Sequence, residues 1–198
     1  MFGMTAAPAF RCGFGGVHSA TSARLELTVP RRRELLEVWK QLADGEARFR
    51  LGWDEDGPWV EQDDTDPVVI ADEGAEFLGR DPQTGAVVVS VGFGRGEDGF
   101  MEVAGLVHPA FRRLGFGREA LQVVCAFAHH HFGIVELRAK CETDNEAGRK
   151  WLASAGFLPV DGIGSHTLPD GRTTATIRWR RLDPTAQRRC KRRFMPIA

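Results

Sequence analysis

The stretch Leu106–Ala120, LVHPAFRRLGFGREA, contains the end of a predicted strand, a basic turn, and two glycines that open a predicted helix. The first turn of a helix leaves backbone N–H groups unpaired and carries partial positive charge. Gly115 and Gly117 have no side chain, so a phosphate group can approach those N–H groups closely. An exposed helix end contributes only about 0.3–1 kcal/mol per charge, so full charges must share the binding. Three arginines supply them: Arg112, Arg113 and Arg118. The stretch predicts a pyrophosphate-binding turn, and a tight turn with solvated arginines is the alternative.

Hydrophobic periodicity on either side of this turn predicts a mixed α/β layer structure. Strands are predicted over 23–29, 86–93, 100–107, 134–141, 157–160 and 173–180. Helices are predicted over 31–42 and 115–132, and a third helix is expected to begin at a Thr143–Glu146 capping box and to end at Gly156. The acidic stretch up to about residue 75 is expected to be mostly loop, with a short helix as an option.

Four motifs, in the turn and on both sides of it, match one known family. Arg112-x-x-Gly115-x-Gly117 matches the Arg/Gln-x-x-Gly-x-Gly/Ala pattern of the acetyl-CoA loop of GNAT acetyltransferases. Glu102–Pro109 resembles the family's Glu-Leu-Gly-Tyr-x-x-x-Pro strand, and Gly117-Arg-Glu-Ala120 resembles its Gly-x-Glu-Ala helix start. Asn145–Phe157 resembles its Asn-x-x-Ser…Gly-Phe helix. On these motifs, in the correct order over roughly residues 100–160, the chain is identified as a GNAT member. It is closest to the ribosomal-protein N-terminal acetyltransferase branch.

The resemblance implies the GNAT fold, an α/β (mixed α+β) structure. Its central sheet is bent and mostly antiparallel, its central strands splay apart, and helices cover both sides. We expect one GNAT domain over residues 23–183. Residues 1–22 are expected to be a disordered extension, and residues 184–198 a basic tail.

The resemblance also implies acetyl-CoA as cosubstrate. The strand before the turn would pair with the pantetheine arm, and the backbone N–H of Val107 would polarise the thioester carbonyl. Asn145 would contact the cosubstrate arm, or it simply caps its helix. The predicted cosubstrate-binding residues are Leu106, Val107, His108, Arg112, Arg113, Leu114, Gly115, Phe116, Gly117, Arg118 and Asn145.

Acetyl transfer to a protonated amine needs a base, and Glu102 matches the family's strand glutamate. An exposed strand carboxylate is the alternative reading, and His108 is a second candidate base. The usual acids are missing, because the tyrosine position is Leu152, the serine position is Gly148, and the chain has no tyrosine. Water could protonate the leaving thiolate, as could Cys141 or Ser154. A catalytically impaired acetyl-CoA-binding sensor or scaffold is therefore the alternative function.

The acceptor is expected to be a primary amine, either a small molecule or a protein N-terminus. Residues 51–78 contain ten acidic residues and no Lys or Arg, a composition that attracts cations. Indole faces can also hold ammonium groups. The candidate acceptor residues are Trp53, Trp59, Asp63, Asp64 and Asp66. A solvated acidic loop is the alternative.

Composition bounds the other functions. A net charge of -1 gives no overall attraction to nucleic acid, and the basic run Arg188–Arg193 alone would support an RNA-associated protein. The chain has no apolar run long enough for a membrane helix.

Four cysteines without CxxC spacing predict reduced thiols and a cytoplasmic protein. The adjacent His129–His131 point about 100° apart on a helix, so no metal site is expected, and a cationic helix end is the interpretation. The oligomeric state is left open, with a homodimer as one option.

Overall fold

One sheet dominates the computed structural model, which describes residues 8–12, 18–54, 69–70, 74–96 and 98–189. The strands are β1 (Ala9–Cys12), β2 (His18–Thr21), β3 (Glu26–Thr28), β4 (Val69–Ile70), β5 (Gly74–Arg80), β6 (Val87–Arg95), β7 (Met101–Val107), β8 (Glu136–Glu142), β9 (Leu158–Thr167) and β10 (Thr173–Leu182). The helices are α1 (Arg32–Leu42), α2 (Gly45–Leu51), α3 (Phe116–His130) and α4 (Glu146–Ser154).

The strand order is β1-β2-β3-β5-β6-β7-β8-β10-β9, and β4 pairs with β5. Neighbouring strands are antiparallel except β7 and β8. In the described residues, that parallel pair is joined only at Met101↔Leu137 and Glu102↔Arg138. β7 and β8 then diverge, which leaves an opening in the middle of the sheet, here called the strand gap. The predicted mostly antiparallel sheet with splayed central strands is confirmed.

Helices cover both faces of the sheet, as predicted. Leu35, Val38 and Leu42 of α1 pack against Leu78 on one face. The neighbouring residue Phe77 points to the opposite face and packs in the larger core with α3, whose buried residues include Leu121, Val124 and Phe127. Because successive side chains of a strand point to opposite faces, β5 is buried on both sides. Within the described residues, no helix is long and apolar enough to cross a membrane.

Several local expectations were wrong. The strand β5 was not predicted, because the acidic residues that precede it resemble a loop. The helix α2 is the kind of short helix that was allowed before residue 75, but its position was not predicted. The capping box at Thr143 does not form, since Asn145 is the N-cap of α4 and its Oδ1 accepts from the Gly148 N–H at 2.8 Å. The predicted helix end is confirmed, with Gly156 left-handed at φ 86°.

The expected disorder of residues 1–22 does not hold for two segments. β1 and β2 pair in antiparallel register and extend the sheet beyond β3. His18 in β2 is fully buried, and its ring packs edge-on against Phe127 of α3. The aromatic contact explains why this segment is ordered, because it covers apolar surface that α3 would otherwise expose.

The cationic interpretation of the three histidines is wrong for two of them. His129 and His131 are buried, and desolvation lowers the pKa of both, that of His131 to about 4. His130 is different, with Nε2 3.2 Å from a carboxylate oxygen of Asp183. The beginning of the basic tail also returns to this helix end, because Arg188 bridges to Phe132.

Candidate active site

The strand gap exposes one backbone edge of β7. The His108 N–H donates to the Val88 carbonyl of β6 at 2.9 Å. Successive backbone N–H groups of a strand point to opposite edges, so those of Gly105 and Val107 point away from β6 and into the gap. The Val107 N–H predicted to polarise a carbonyl is therefore aimed at an opening instead of at a neighbouring strand.

A cavity of about 430 Å³ occupies the strand gap. Its walls are Glu102–Gly105 of β7, Ala139–Glu142 of β8 and residues of α4 that include Asn145 and Trp151. The end of α2 and the turn after β9 close its other side. The strand gap is thus bordered by both α2 and α4.

The turn that opens α3, residues 112–118, has the backbone geometry of an anion site and is here called the anion turn. Gly115 is the N-cap at φ 86°, a left-handed conformation that glycine adopts without strain. The first helical hydrogen bond of α3 runs from the Glu119 N–H to the Gly115 carbonyl at 3.1 Å. The N–H groups of Phe116, Gly117 and Arg118 precede it, so no helical carbonyl is available to them. The exposed side chains of Arg113 and Arg118 flank this point. The backbone fits a pyrophosphate group.

Arg112 makes contacts in this structure that the sequence did not predict. Its guanidinium makes two hydrogen bonds to the carboxylate of Asp44, the N-cap of α2, at 2.6 and 3.0 Å. This hydrogen bond lowers the pKa of Asp44. Arg112 Nε also donates to the Val107 carbonyl at 3.3 Å. In this structure Arg112 ties the turn to α2 and to the edge of β7.

Arg24, which the sequence analysis did not single out, supports the same turn. Its Nη1 donates to the Leu114 carbonyl at 3.0 Å, and its Nε donates to Glu119 at 2.8 Å. The guanidinium also lies over the Phe116 ring, 4.6 Å from its centroid. Arg24 lies about ninety residues earlier in the chain, so only the fold could reveal the contact.

The predicted base lies where two cavities meet. Glu102 and Ala104 line the strand gap and also a second cavity of about 200 Å³ beneath α1, here called the α1 cavity. Glu102 Oε1 is 3.1 Å from Lys140 Nζ of β8, across the opening. The alternative base, His108, uses Nδ1 to accept from the Ala110 N–H at 3.1 Å. Position therefore favours Glu102 over His108.

A second carboxyl group, that of Glu76 on β5, lines the α1 cavity and was missed as a site residue. Ser90 Oγ donates to Glu76 Oε1 at 2.5 Å, and Trp39 Nε1 donates to that serine oxygen at 2.9 Å. Burial of the carboxyl group raises the pKa of Glu76 to about 7. The other carboxylate oxygen lies over Gly92, where any side chain would collide with it. The sequence showed Glu76 only as one acid among ten.

Trp53 is the one predicted acceptor residue in the described part of the chain. The centroid of its ring lies 5.3 Å from that of Trp39, which lines the α1 cavity, but Trp53 itself is not among the residues that line this cavity. Trp59, Asp63, Asp64 and Asp66 lie outside the described residues.

The candidates for the general acid separate by position. Leu152 is buried, and Ser154 Oγ donates to the Trp151 carbonyl at 2.7 Å, so it is tied to its own helix. Cys141 lines the strand gap, and desolvation raises the pKa of its thiol to about 11. A thiol of that pKa is a weaker acid than the leaving thiol of ordinary pKa, about 8.5, that it would have to protonate.

No described group of three His, Cys, Asp or Glu side chains is placed to hold a metal ion.

Glu76→Gln should stabilise the protein increasingly as pH rises. A folded-state pKa of about 7, raised from 4.5, means that the proton on Glu76 stabilises the fold fully below pH 4.5. That contribution is lost between pH 4.5 and about 7, and glutamine never incurs this loss. The stability difference between variant and wild type should therefore grow by about 2 kcal/mol from pH 5 to pH 8, measured by urea unfolding. A difference that is the same at both pH values would contradict a buried, titrating carboxyl group.

The comparisons with known proteins agree with this geometry. The family model described as an acetyltransferase (GNAT) domain matches residues 24–158. A ribosomal-protein-S5-alanine acetyltransferase from Vibrio fischeri superposes with a TM-score of 0.65 at 13% identity, covering 85% of this chain and 98% of that one. A GNAT acetyltransferase from Bacillus anthracis superposes with a TM-score of 0.64 at 13% identity, covering 83% and 98%. Spermidine N-acetyltransferase from Vibrio cholerae, solved with CoA and spermine, gives 0.63 at 14% identity, covering 81% and 96%. No curated protein sequence matches the chain.

A sheet opened between two parallel strands, with an anion turn at the start of the following helix, defines a coenzyme A-type acyltransferase architecture. With the family model matching most of its length, the chain belongs to the GNAT family of acetyl-CoA-dependent N-acetyltransferases.

Proposed function

We propose that this protein transfers the acetyl group of acetyl-CoA to a primary amine by direct attack. The observation that carries the proposal is the edge of β7, where the Gly105 and Val107 N–H groups face the strand gap beside the anion turn. Backbone donors that are fixed before the reaction can stabilise a developing oxyanion without reorganisation.

Each part of the cosubstrate has a matching group in the chain. The pyrophosphate would lie at the N–H groups of Phe116–Arg118, with Arg113 and Arg118 adding charge. The pantetheine arm would pair with the edge of β7, and the Val107 N–H would donate to the thioester oxygen. Asn145 caps α4 through its side-chain oxygen and lines the strand gap, so its amide nitrogen would donate to the pantetheine arm.

Glu102 would act as the base at the junction of the two cavities. The amine nitrogen attacks the thioester carbon, a C–N bond forms, and the C–S bond breaks. Before the attack, Glu102 takes one proton from the ammonium group, which makes the nitrogen nucleophilic, and the nitrogen loses a second proton to water as the amide forms. The coenzyme leaves as a thiolate and takes a proton from water, since Leu152 holds the position of the usual tyrosine and the chain has none.

The α1 cavity supports an amine as acceptor. Leu35, Trp39 and Phe93 make its walls mainly apolar, and Glu76 and Glu102 place two carboxyl groups on it. An ammonium group on a carbon chain has matching chemistry, with charge for the carboxylates and apolar atoms for the walls. Neighbours of similar fold are described as acting on a ribosomal protein and on spermidine, which supports a small amine or a protein N-terminus. Two free buried cysteines, Cys125 and Cys141, and the use of acetyl-CoA support a cytoplasmic location.

Two measurements test the proposal. Calorimetry with acetyl-CoA should show one binding site per chain. Release of free thiol should then be measured with spermidine, an aminoglycoside, and peptides beginning with Ala or Ser. Turnover with any of these amines supports catalysis. Binding of acetyl-CoA without turnover across a broad amine panel would favour the sensor or scaffold function, and absence of binding would overturn both.

A further inference from the structure

The indole of Trp151 fills the space left by two glycines at the strand gap. Trp151 Cη2 lies 3.0 Å from the position that a Cβ on Gly105 would occupy. Trp151 Nε1 lies 3.2 Å from the corresponding position on Gly117, at the start of α3. The ring therefore runs from the open edge of β7 to the anion turn, and it is part of the lining of the gap.

The indole nitrogen of Trp151 is buried and has no hydrogen-bond partner among the described residues. A buried donor without a partner costs about 1–3 kcal/mol, so natural proteins rarely keep one without a reason. Trp179 on β10 has a buried Nε1 in the same condition. Trp179 lies in the core and does not line the gap, whereas Trp151 lies where a ligand would pass. Location, more than the missing partner alone, distinguishes Trp151.

We propose that Trp151 is a cosubstrate-binding residue whose indole forms the floor of the strand gap and whose Nε1–H donates to an amide carbonyl of the pantetheine arm. The identity of the ligand rests on the proposed function. Pantetheine has two amide groups, and their carbonyls need donors once the arm leaves water. The N–H groups of Gly105 and Val107 supply donors on one side of the arm, and Trp151 supplies one from below. Gly105 and Gly117 are required because any side chain there would displace the indole.

Calorimetry with CoA on Trp151→Phe tests this role. Phenylalanine keeps an aromatic floor and removes the donor, so the Kd for CoA should rise about 3–10-fold, the loss expected for one neutral hydrogen bond. Trp179→Phe removes the same kind of buried donor away from the gap and should leave the Kd unchanged. Phenylalanine is smaller than the indole, so the loss of packing should lower the melting temperature of both ligand-free variants. A rise in Kd confined to Trp151→Phe therefore reports the lost contact with CoA and not the lost packing.

The indole N–H resonances of the wild type give a readout that needs no stable variant at position 151. On addition of CoA, one indole N–H signal should move downfield, and the signal that disappears in Trp179→Phe should stay in place. Tight CoA binding by the wild type with an unchanged Kd in Trp151→Phe would overturn this inference and leave the proposed function intact. So would a wild-type spectrum in which no indole N–H signal moves. A wild type that binds no CoA would overturn both.

Discussion

Glu102→Gln should lower kcat/KM for an amine acceptor about 10²–10⁴-fold at pH 7, the usual contribution of a positioned base. The amide has the shape of the carboxylate but cannot accept the proton that the ammonium group must lose before its nitrogen attacks. The Kd for acetyl-CoA should change little, because the proposed cosubstrate contacts lie on the backbone of β7 and at the start of α3. Steady-state kinetics at several pH values, together with calorimetry, would measure both effects.

The pH dependence separates a base from a structural carboxylate. As pH rises and the free amine accumulates, the defect of Glu102→Gln should shrink, since the acceptor then needs no base. Glu136→Gln is a matched control, because Glu136 is exposed to a similar degree (23% against 24%) and its carboxylate also pairs with a basic residue of β8, Arg138, at 2.8 Å. That control should keep near-wild-type activity. Wild-type turnover by Glu102→Gln at pH 7 would remove Glu102 from the mechanism.

Reversing the two free charges of the anion turn should nearly abolish cosubstrate binding. In the double variant Arg113→Glu/Arg118→Glu, two exposed cations become anions beside the phosphate position. We expect the Kd for CoA to rise about 100-fold or more, and this loss should diminish at high salt, because exposed charges are screened. Acidic residues stabilise the first turn of a helix, so the substitution in α3 should not unfold the protein. Calorimetry at two ionic strengths would measure the change.

The neutral double variant Arg113→Gln/Arg118→Gln is the control for this experiment. It removes attraction without adding repulsion, so its Kd should lie between those of the wild type and the charge-reversed protein. Equal affinity in all three proteins would show that phosphates bind elsewhere. An unchanged melting temperature in the charge-reversed protein would show that the loss concerns binding and not folding.

The parts of the site that were predictable are those encoded within one short stretch. The strand, turn and helix from Glu102 to Ala120 follow from local periodicity and glycine placement, and their order carried the family resemblance. The end of α4 at Gly156 is equally local, because it depends on the conformation of one residue. In such stretches, the residues that form the helix, strand or turn are the same residues from which it is predicted.

The remaining site residues depend on contacts between distant segments. Nothing near Arg112 indicates that Asp44 would take its guanidinium, since 68 residues separate them. Desolvation beneath α1 raises the pKa of Glu76 to about 7 although the hydrogen bond from Ser90 lowers it, and only the assembled sheet supplies both influences. Trp151 matched no motif, although it follows Asn145 by less than two helical turns. A sequence pattern records spacing along the chain, and these roles come from spacing across the sheet.

The small number of paired residues between β7 and β8 should make the stability of the protein depend on its ligand. In the described residues the sheet has two parts, β1–β7 and β8–β10. Only two residue pairs join their backbones, and helices pack against both parts. A ligand that binds between β7 and β8 forms hydrogen bonds with backbone groups that have no partner strand there. Such a ligand binds only the folded protein, so resistance to heat and to proteolysis should increase with the concentration of the ligand. The cell's supply of that ligand would then set how much of this chain survives as folded protein.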